Sequence, residues 1–60
     1  MQARDTQKAA QLRMAIQNLQ NAEAWVKHAL GDTDVGADTQ HRISELIEDL
    51  MYDVIELEAV

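Results

Sequence analysis

Large aliphatic residues recur at helical spacing along both halves of this chain, and one short stretch of turn composition separates the halves. In the first half Leu12, Leu19 and Val26 lie seven residues apart, and alanines repeat at the same interval beside them. In the second half the apolar residues from Ile43 to Leu57 alternate spacings of four and three. This period is typical of α-helices with one buried stripe, and it excludes strands.

The interruption predicts where the two helices end. Gly31 directly follows Leu30, the position at which a left-handed residue commonly closes a helix. Both glycines of the chain fall within 31–38. We therefore expect a helix over about 6–30, a loop over 31–38 and a helix over about 39–58. Four polar residues are candidate N-caps, two for each helix: Asp5 or Thr6, and Asp38 or Thr39.

A loop of this length favours antiparallel neighbours, so the expected fold class is all-α, with residues 1–60 forming one helical-hairpin domain. Pairing Leu30 with Ile43 aligns the two stripes and also brings together Val26 with Ile47, Leu19 with Val54, and Ile16 with Leu57. The charges agree with this layout, because the basic residues near the start of helix 1 would lie beside the acids near the end of helix 2: Arg4, Lys8 and Arg13, and Asp53, Glu56 and Glu58.

The small size of the chain predicts self-association. Sixty residues without cysteine cannot be stapled by a disulfide, and one helix–helix seam leaves apolar side chains exposed. We expect a dimeric four-helix bundle or a higher homo-oligomer. The layout resembles that of the plasmid copy-number regulators of the Rop type, which are dimers of short helical hairpins, although no sequence motif is shared. The expected subunit interface comprises Leu12, Ile16, Leu19, Ala22, Trp25, Val26, Leu46, Leu50, Met51, Val54 and Ile55.

The charge distribution bears on partners. The net charge is −6, and residues 31–60 hold nine acidic side chains against one basic. Such a surface disfavours direct binding to nucleic acid or to an anionic membrane. It favours a protein partner with a basic surface. The expected contact residues lie on the polar face of helix 2: Glu45, Glu48, Asp49, Tyr52, Asp53 and Glu56. No segment resembles a secretory signal or a membrane span, so we expect a cytoplasmic protein.

Catalytic, cofactor and metal motifs do not emerge from the sequence. Counted from Asp32, the glycine and glutamate that a calcium loop requires at positions six and twelve are replaced by Ala37 and Ile43. His28 and His41, with Asp32 or Asp38, make a weak zinc candidate. No nucleophile–base set or glycine-rich phosphate loop is present, so we expect neither an enzyme nor a bound cofactor.

Two side chains carry open alternatives. Trp25, at the edge of the helix 1 stripe, is either an oligomer contact or a contact to a partner or ligand. Glu23 either pairs with Lys27, four residues on, or is a buried polar group that fixes the oligomer register.

The leading hypothesis is a small acidic regulatory or adaptor protein that binds another protein as a homo-oligomeric bundle. One alternative is a phage-type inhibitor that imitates DNA with its acidic face. Another is a ligand-sequestering oligomer with a pocket between subunits, near Trp25, Arg13 or His28.

Overall fold

Two antiparallel α-helices of equal length form the described part of the protein. The computed structural model describes residues 5–59, in which α1 spans Thr6–Leu30 and α2 spans Asp34–Glu58. The two helices contact each other and form an elongated slab of 50 × 14 × 8 Å. The predicted all-α antiparallel hairpin is confirmed. The predicted first cap is also confirmed, because the Asp5 side chain accepts a hydrogen bond from the backbone N–H of Lys8 at 3.1 Å.

The connection between the helices is much shorter than predicted. Gly31 has φ 59° and ψ −133°, values typical of the first central residue of a type II′ turn, where glycine dominates. The backbone N–H of Thr33 donates to the carbonyl of Leu30 at 3.3 Å, which closes that turn. The positive φ predicted for Gly31 is therefore confirmed, but the turn reverses the chain at once and no extended loop follows.

The start of α2 at Asp34 corrects the predicted loop over 31–38. Thr33, and neither Asp38 nor Thr39, is the N-cap, and its hydroxyl accepts the backbone N–H of Gly36 at 3.0 Å. A carboxylate in the first turn, here that of Asp34, also suits the positive end of the helix dipole. A threonine cap followed by an acid outweighs the low helix propensity of glycine, so the predicted start near residue 39 is wrong.

Gly36 allows the first turn of α2 to pack against the end of α1. It is buried, and a Cβ added there would lie 2.9 Å from the Leu30 Cβ and 3.0 Å from the Gly31 carbonyl oxygen. Glycine inside a helix usually costs about 1 kcal/mol relative to alanine. At this position the missing side chain is what permits the close approach of the two helices.

The short connection also changes the register of the hairpin. The Ser44 hydroxyl donates to the Glu23 carboxylate at 2.5 Å, and the backbone N–H of Asp5 donates to the Leu57 carbonyl at 2.8 Å. The predicted pairing placed Glu23 beside Leu50, six residues further along α2 than Ser44. That register is wrong because α2 begins at Asp34 and not near residue 39. Each residue of α2 therefore lies further from the turn than predicted.

The hairpin core is narrow. The buried apolar side chains are Ala9 and Ile16 of α1 and Ile47 and Val54 of α2, seven residues apart on each helix. Five partly buried residues pack against them: Leu12, Leu19, Ile43, Leu50 and Leu57. One row per helix is all that two helices can cover, so the flanking rows remain exposed.

The predicted attraction between the start of α1 and the end of α2 is confirmed by one ion pair. Arg13 and Glu58 approach to 2.5 Å. Lys8 instead pairs with Asp5 of its own N-terminus at 3.6 Å, and Arg4 lies outside the described residues. Both pairs are partly solvated, so each contributes at most about 1 kcal/mol to stability.

Candidate binding surfaces

An apolar groove runs along one side of the hairpin. Its lining residues are Arg13, Ile16, Met51, Val54 and Ile55, around a volume of about 400 Å³. Ile16 and Val54 belong to the core and form its floor, whereas Met51 and Ile55 are largely exposed. We call this side of the hairpin the groove face. Two residues of the predicted subunit interface, Ile16 and Val54, are thus already covered within one chain.

The opposite side of the hairpin follows from helical geometry. Nine residues make two and a half turns of an α-helix, so residues nine apart point in opposite directions. Leu46 therefore lies across α2 from Ile55, and Ala22 lies across α1 from Arg13. Because Ile55 and Arg13 line the same groove, Ala22 and Leu46 share the other side. We call this side the Leu46 face, and its apolar members are Leu19, Ala22, Val26, Leu46 and Leu50. Leu46 is 51% exposed, and the other four are half-buried.

Trp25 occupies a third surface, on the outer side of α1. It lies nine residues from the buried Ile16 and so faces away from α2. Its ring is 70% exposed and meets the His28 ring edge-on, with centroids 6.3 Å apart and an interplanar angle of 87°. Met14, three turns earlier on the same side, is exposed as well. The predicted position at the edge of the buried stripe is therefore wrong, because the stripe lies on the other side of the helix.

The outer face of α2 carries the predicted partner contacts, and every one of them is exposed. They are Glu45, Glu48, Asp49, Tyr52, Asp53 and Glu56. Arg42 borders this face and pairs with Asp38, one helical turn earlier, at 3.1 Å, and the His41 ring lies 3.7 Å from the Glu45 carboxylate. Tyr52 is the aromatic residue of this surface and is 66% exposed. The face thus combines negative charge with one amphipathic ring, but its role in binding stays a prediction.

The predicted subunit interface does not lie on one surface. Met51 and Ile55 lie on the groove face, Leu46 on the opposite face and Trp25 on the outer side of α1. A twofold dimer uses one patch on each copy, so it cannot cover all four. The sequence does not reveal this division, because a wide apolar stripe on one helix does not show which of its edges another helix of the same chain separates.

Two further residues were not recognised from the sequence. Gly36 was expected in a loop but lies in a tight helix–helix contact. Ser44 donates to Glu23, for which the sequence predicts either a pair with Lys27 or a buried position that fixes the oligomer register. Thr33 is the residue from which both could be predicted. A helix capped by Thr33 leaves a short turn, which places Gly36 against the end of α1 and Ser44 beside Glu23.

The described residues, 5–59, contain neither the predicted zinc cluster nor a membrane-spanning helix. In that range no three His, Cys, Asp or Glu side chains cluster as metal ligands would, so His28 and His41 are not assembled with Asp32 or Asp38. Neither described helix has an apolar stretch long enough to cross a membrane. No family model, curated protein or solved structure matches the chain significantly. The function is therefore inferred from the surfaces described above.

Proposed function

We propose that this is a small non-enzymatic adaptor or regulatory protein that acts as a homodimer of hairpins and binds a protein with a basic surface. The observation that carries this proposal is the exposed apolar surface. Within residues 5–59, eight large hydrophobic side chains are exposed, whereas only four apolar side chains are buried. A stable monomer rarely exposes so much apolar surface, and an obligate dimer covers the part of it that lies on one side of the hairpin.

The exposed area supports a dimer quantitatively. The chain exposes 4794 Å², whereas a compact protein of 6.8 kDa exposes about 4,000 Å². By the same scaling, a compact protein of twice this mass exposes about 3,000 Å² less than two separate copies of the hairpin do. A dimer that buries about 3,000 Å² in total would therefore be as compact as an ordinary protein of its mass. That area lies within the range of about 2,000–5,000 Å² found in obligate homodimers.

The outer face of α2 is the proposed site for the basic partner. The carboxylates of Glu45 and Glu56 point away from α1, so they remain accessible when apolar sides of the hairpin are covered. Clustered charges of one sign accelerate encounter with an oppositely charged surface and select against similarly charged proteins. Tyr52, seven residues after Glu45 and four before Glu56, supplies an aromatic anchor within the cluster.

The proposal is tested by affinity capture from the native host with a charge-neutralised variant. E45Q/E56Q removes two negative charges from the centre of the face, and Q7K/Q17K changes the net charge by the same amount on exposed positions of α1. We expect a protein with a basic surface to be captured by the wild type and by Q7K/Q17K, and to be lost with E45Q/E56Q. Equal capture by the two variants would refute this role. Release of the captured protein by duplex DNA would instead favour a DNA-imitating inhibitor.

The groove favours a second candidate function, the sequestering of a small amphiphilic ligand. Met51 and Ile55 would contact an apolar tail, and Arg13 at the rim, which pairs with Glu58, would exchange that partner for an anionic group of the ligand. Medium-chain fatty acids are a suitable probe. Binding should raise the melting temperature of the wild type and leave that of I55D unchanged, and a flat response of the wild type would eliminate this candidate.

A further inference from the structure

We propose that the second copy is seated on the Leu46 face, antiparallel to the first, with the twofold axis passing through Leu46. This inference rests on the proposed dimer and specifies which side of the hairpin forms its seam. The seam would leave the groove face and the outer side of α1 free. Three properties of the Leu46 face support it: the level at which its two helices meet, the charges along α2 and the residue sizes along α1.

The centre of the Leu46 face lies at the same level on both helices. The hydrogen bond between Ser44 and Glu23 places those two residues side by side near the middle of the hairpin. Two residues further along α2, Leu46 therefore lies level with the part of α1 between Leu19 and Ala22. A twofold axis at this level passes through the centre of α2 and within about three residues of the centre of α1, so the hairpins overlap over most of their length.

The charges along α2 are complementary to themselves about this axis. With Leu46 opposite Leu46, an antiparallel copy brings Arg42 of one chain next to Asp49 of the other. Arg42, Leu46 and Asp49 line one shallow surface depression together with Glu45 and Glu48, so the Arg42–Asp49 pair would lie where the Leu46 face borders the outer face of α2. The twofold axis generates the Arg42–Asp49 pair twice, once on either side of the two Leu46 side chains along the helices. Further from the axis Thr39 meets Asp53, and neither pairing opposes like charges.

The residue sizes along α1 are complementary in the same way. An axis between Leu19 and Ala22 places the leucine of one copy against the alanine of the other. About one turn further out Ala15 meets Val26. Each contact joins a large and a small side chain, and such alternation lets facing helices interdigitate without voids.

The groove face lacks this self-complementarity. Lys27 lies fourteen residues after Arg13, close to four helical turns, and so occupies the same side of α1. An antiparallel copy centred at the same level would bring Arg13 of one chain near Lys27 of the other. Met51 would then face the polar His41. The Met51–His41 contact sets an apolar against a polar side chain, and Arg13, which pairs with Glu58 of its own chain, gains no acidic partner from the second copy, so this face is left for a different occupant.

Disulfide crosslinking tests the seam directly, because the natural chain has no cysteine. In L46C the two thiols would face each other across the axis, and mild oxidation should produce a covalent dimer. The matched control is I55C, which is similarly exposed on the opposite side of the same helix. A covalent dimer from L46C alone supports the proposal. A dimeric protein that crosslinks through I55C and not L46C would overturn the seam but leave the dimer, whereas a monomeric wild type would remove both.

A charge swap gives a second test that does not depend on oxidation. R42D and D49R each place like charges together twice per dimer, so each should raise the dimer dissociation constant by about tenfold or more. The double variant R42D/D49R restores both pairs in reversed order and should recover most of the affinity. Because seven residues separate these positions by about 10.5 Å along one helix, recovery would report a contact between chains. Additive weakening in the double variant would contradict the proposal.

Discussion

Replacing Gly36 by alanine has two opposite effects on the free energy of unfolding, a gain in helix propensity and a steric cost. Alanine inside a helix gains about 1 kcal/mol over glycine. In this structure, however, the new Cβ would lie 2.9 Å from the Leu30 Cβ, 3.0 Å from the Gly31 carbonyl oxygen and 3.1 Å from the Thr33 hydroxyl. None of these atoms is the far end of a flexible side chain. Overpacking of this kind costs about 1–3 kcal/mol, and displacement of the Thr33 hydroxyl weakens the N-cap by about 0.5–2 kcal/mol.

We therefore expect Gly36→Ala to destabilise the protein by about 0.5–4 kcal/mol net. For a domain of this size each kcal/mol lowers the melting temperature by about 4–8 °C. The assay is thermal unfolding followed by circular dichroism at one fixed protomer concentration, since the stability of a dimer depends on concentration. Asn21→Ala, on the exposed surface of α1, is the control and should raise the melting temperature slightly. A rise for Gly36→Ala as large as that for the control would refute the close contact at the turn.

Three smaller perturbations test other parts of the hairpin by the same unfolding assay. Thr33→Ala should cost about 1 kcal/mol and Asp38→Ala less than about 0.5 kcal/mol; the reverse order would place the cap at 38. Arg13→Ala should cost at most about 1 kcal/mol, with the difference shrinking in high salt, and a salt-independent loss would argue against an ion-pair origin. Ile47→Ala should cost about 2–5 kcal/mol and Ile55→Ala far less; equal losses would mean that the groove is covered.

The type of fold follows from the sequence because helical period is a property of each half of the chain. Leu12, Leu19 and Val26 mark one stripe whatever lies elsewhere, and Asp5 is a cap on local grounds. The antiparallel arrangement needs only a short connection. These features were predicted correctly because each depends on neighbours within one or two helical turns.

The register could not be predicted as readily because it depends on one choice of cap. With Asp38 or Thr39 as the cap, the loop is five residues longer. Every predicted pair of residues across the hairpin is then shifted along α2. Glycine at 36 favoured that choice, since its poor helix propensity is visible in the sequence while the contact with Leu30 is not. The placement of Trp25 away from α2 likewise depends on which residues of α1 are buried.

The solution mass of the wild-type chain tests the central claim most directly. Sedimentation equilibrium at micromolar concentration should give a mass of about twice the 6.8 kDa of one chain, because a single hairpin leaves too much apolar surface exposed. Dilution should dissociate and unfold the protein together. A folded species of 6.8 kDa that unfolds cooperatively and independently of concentration would contradict the account.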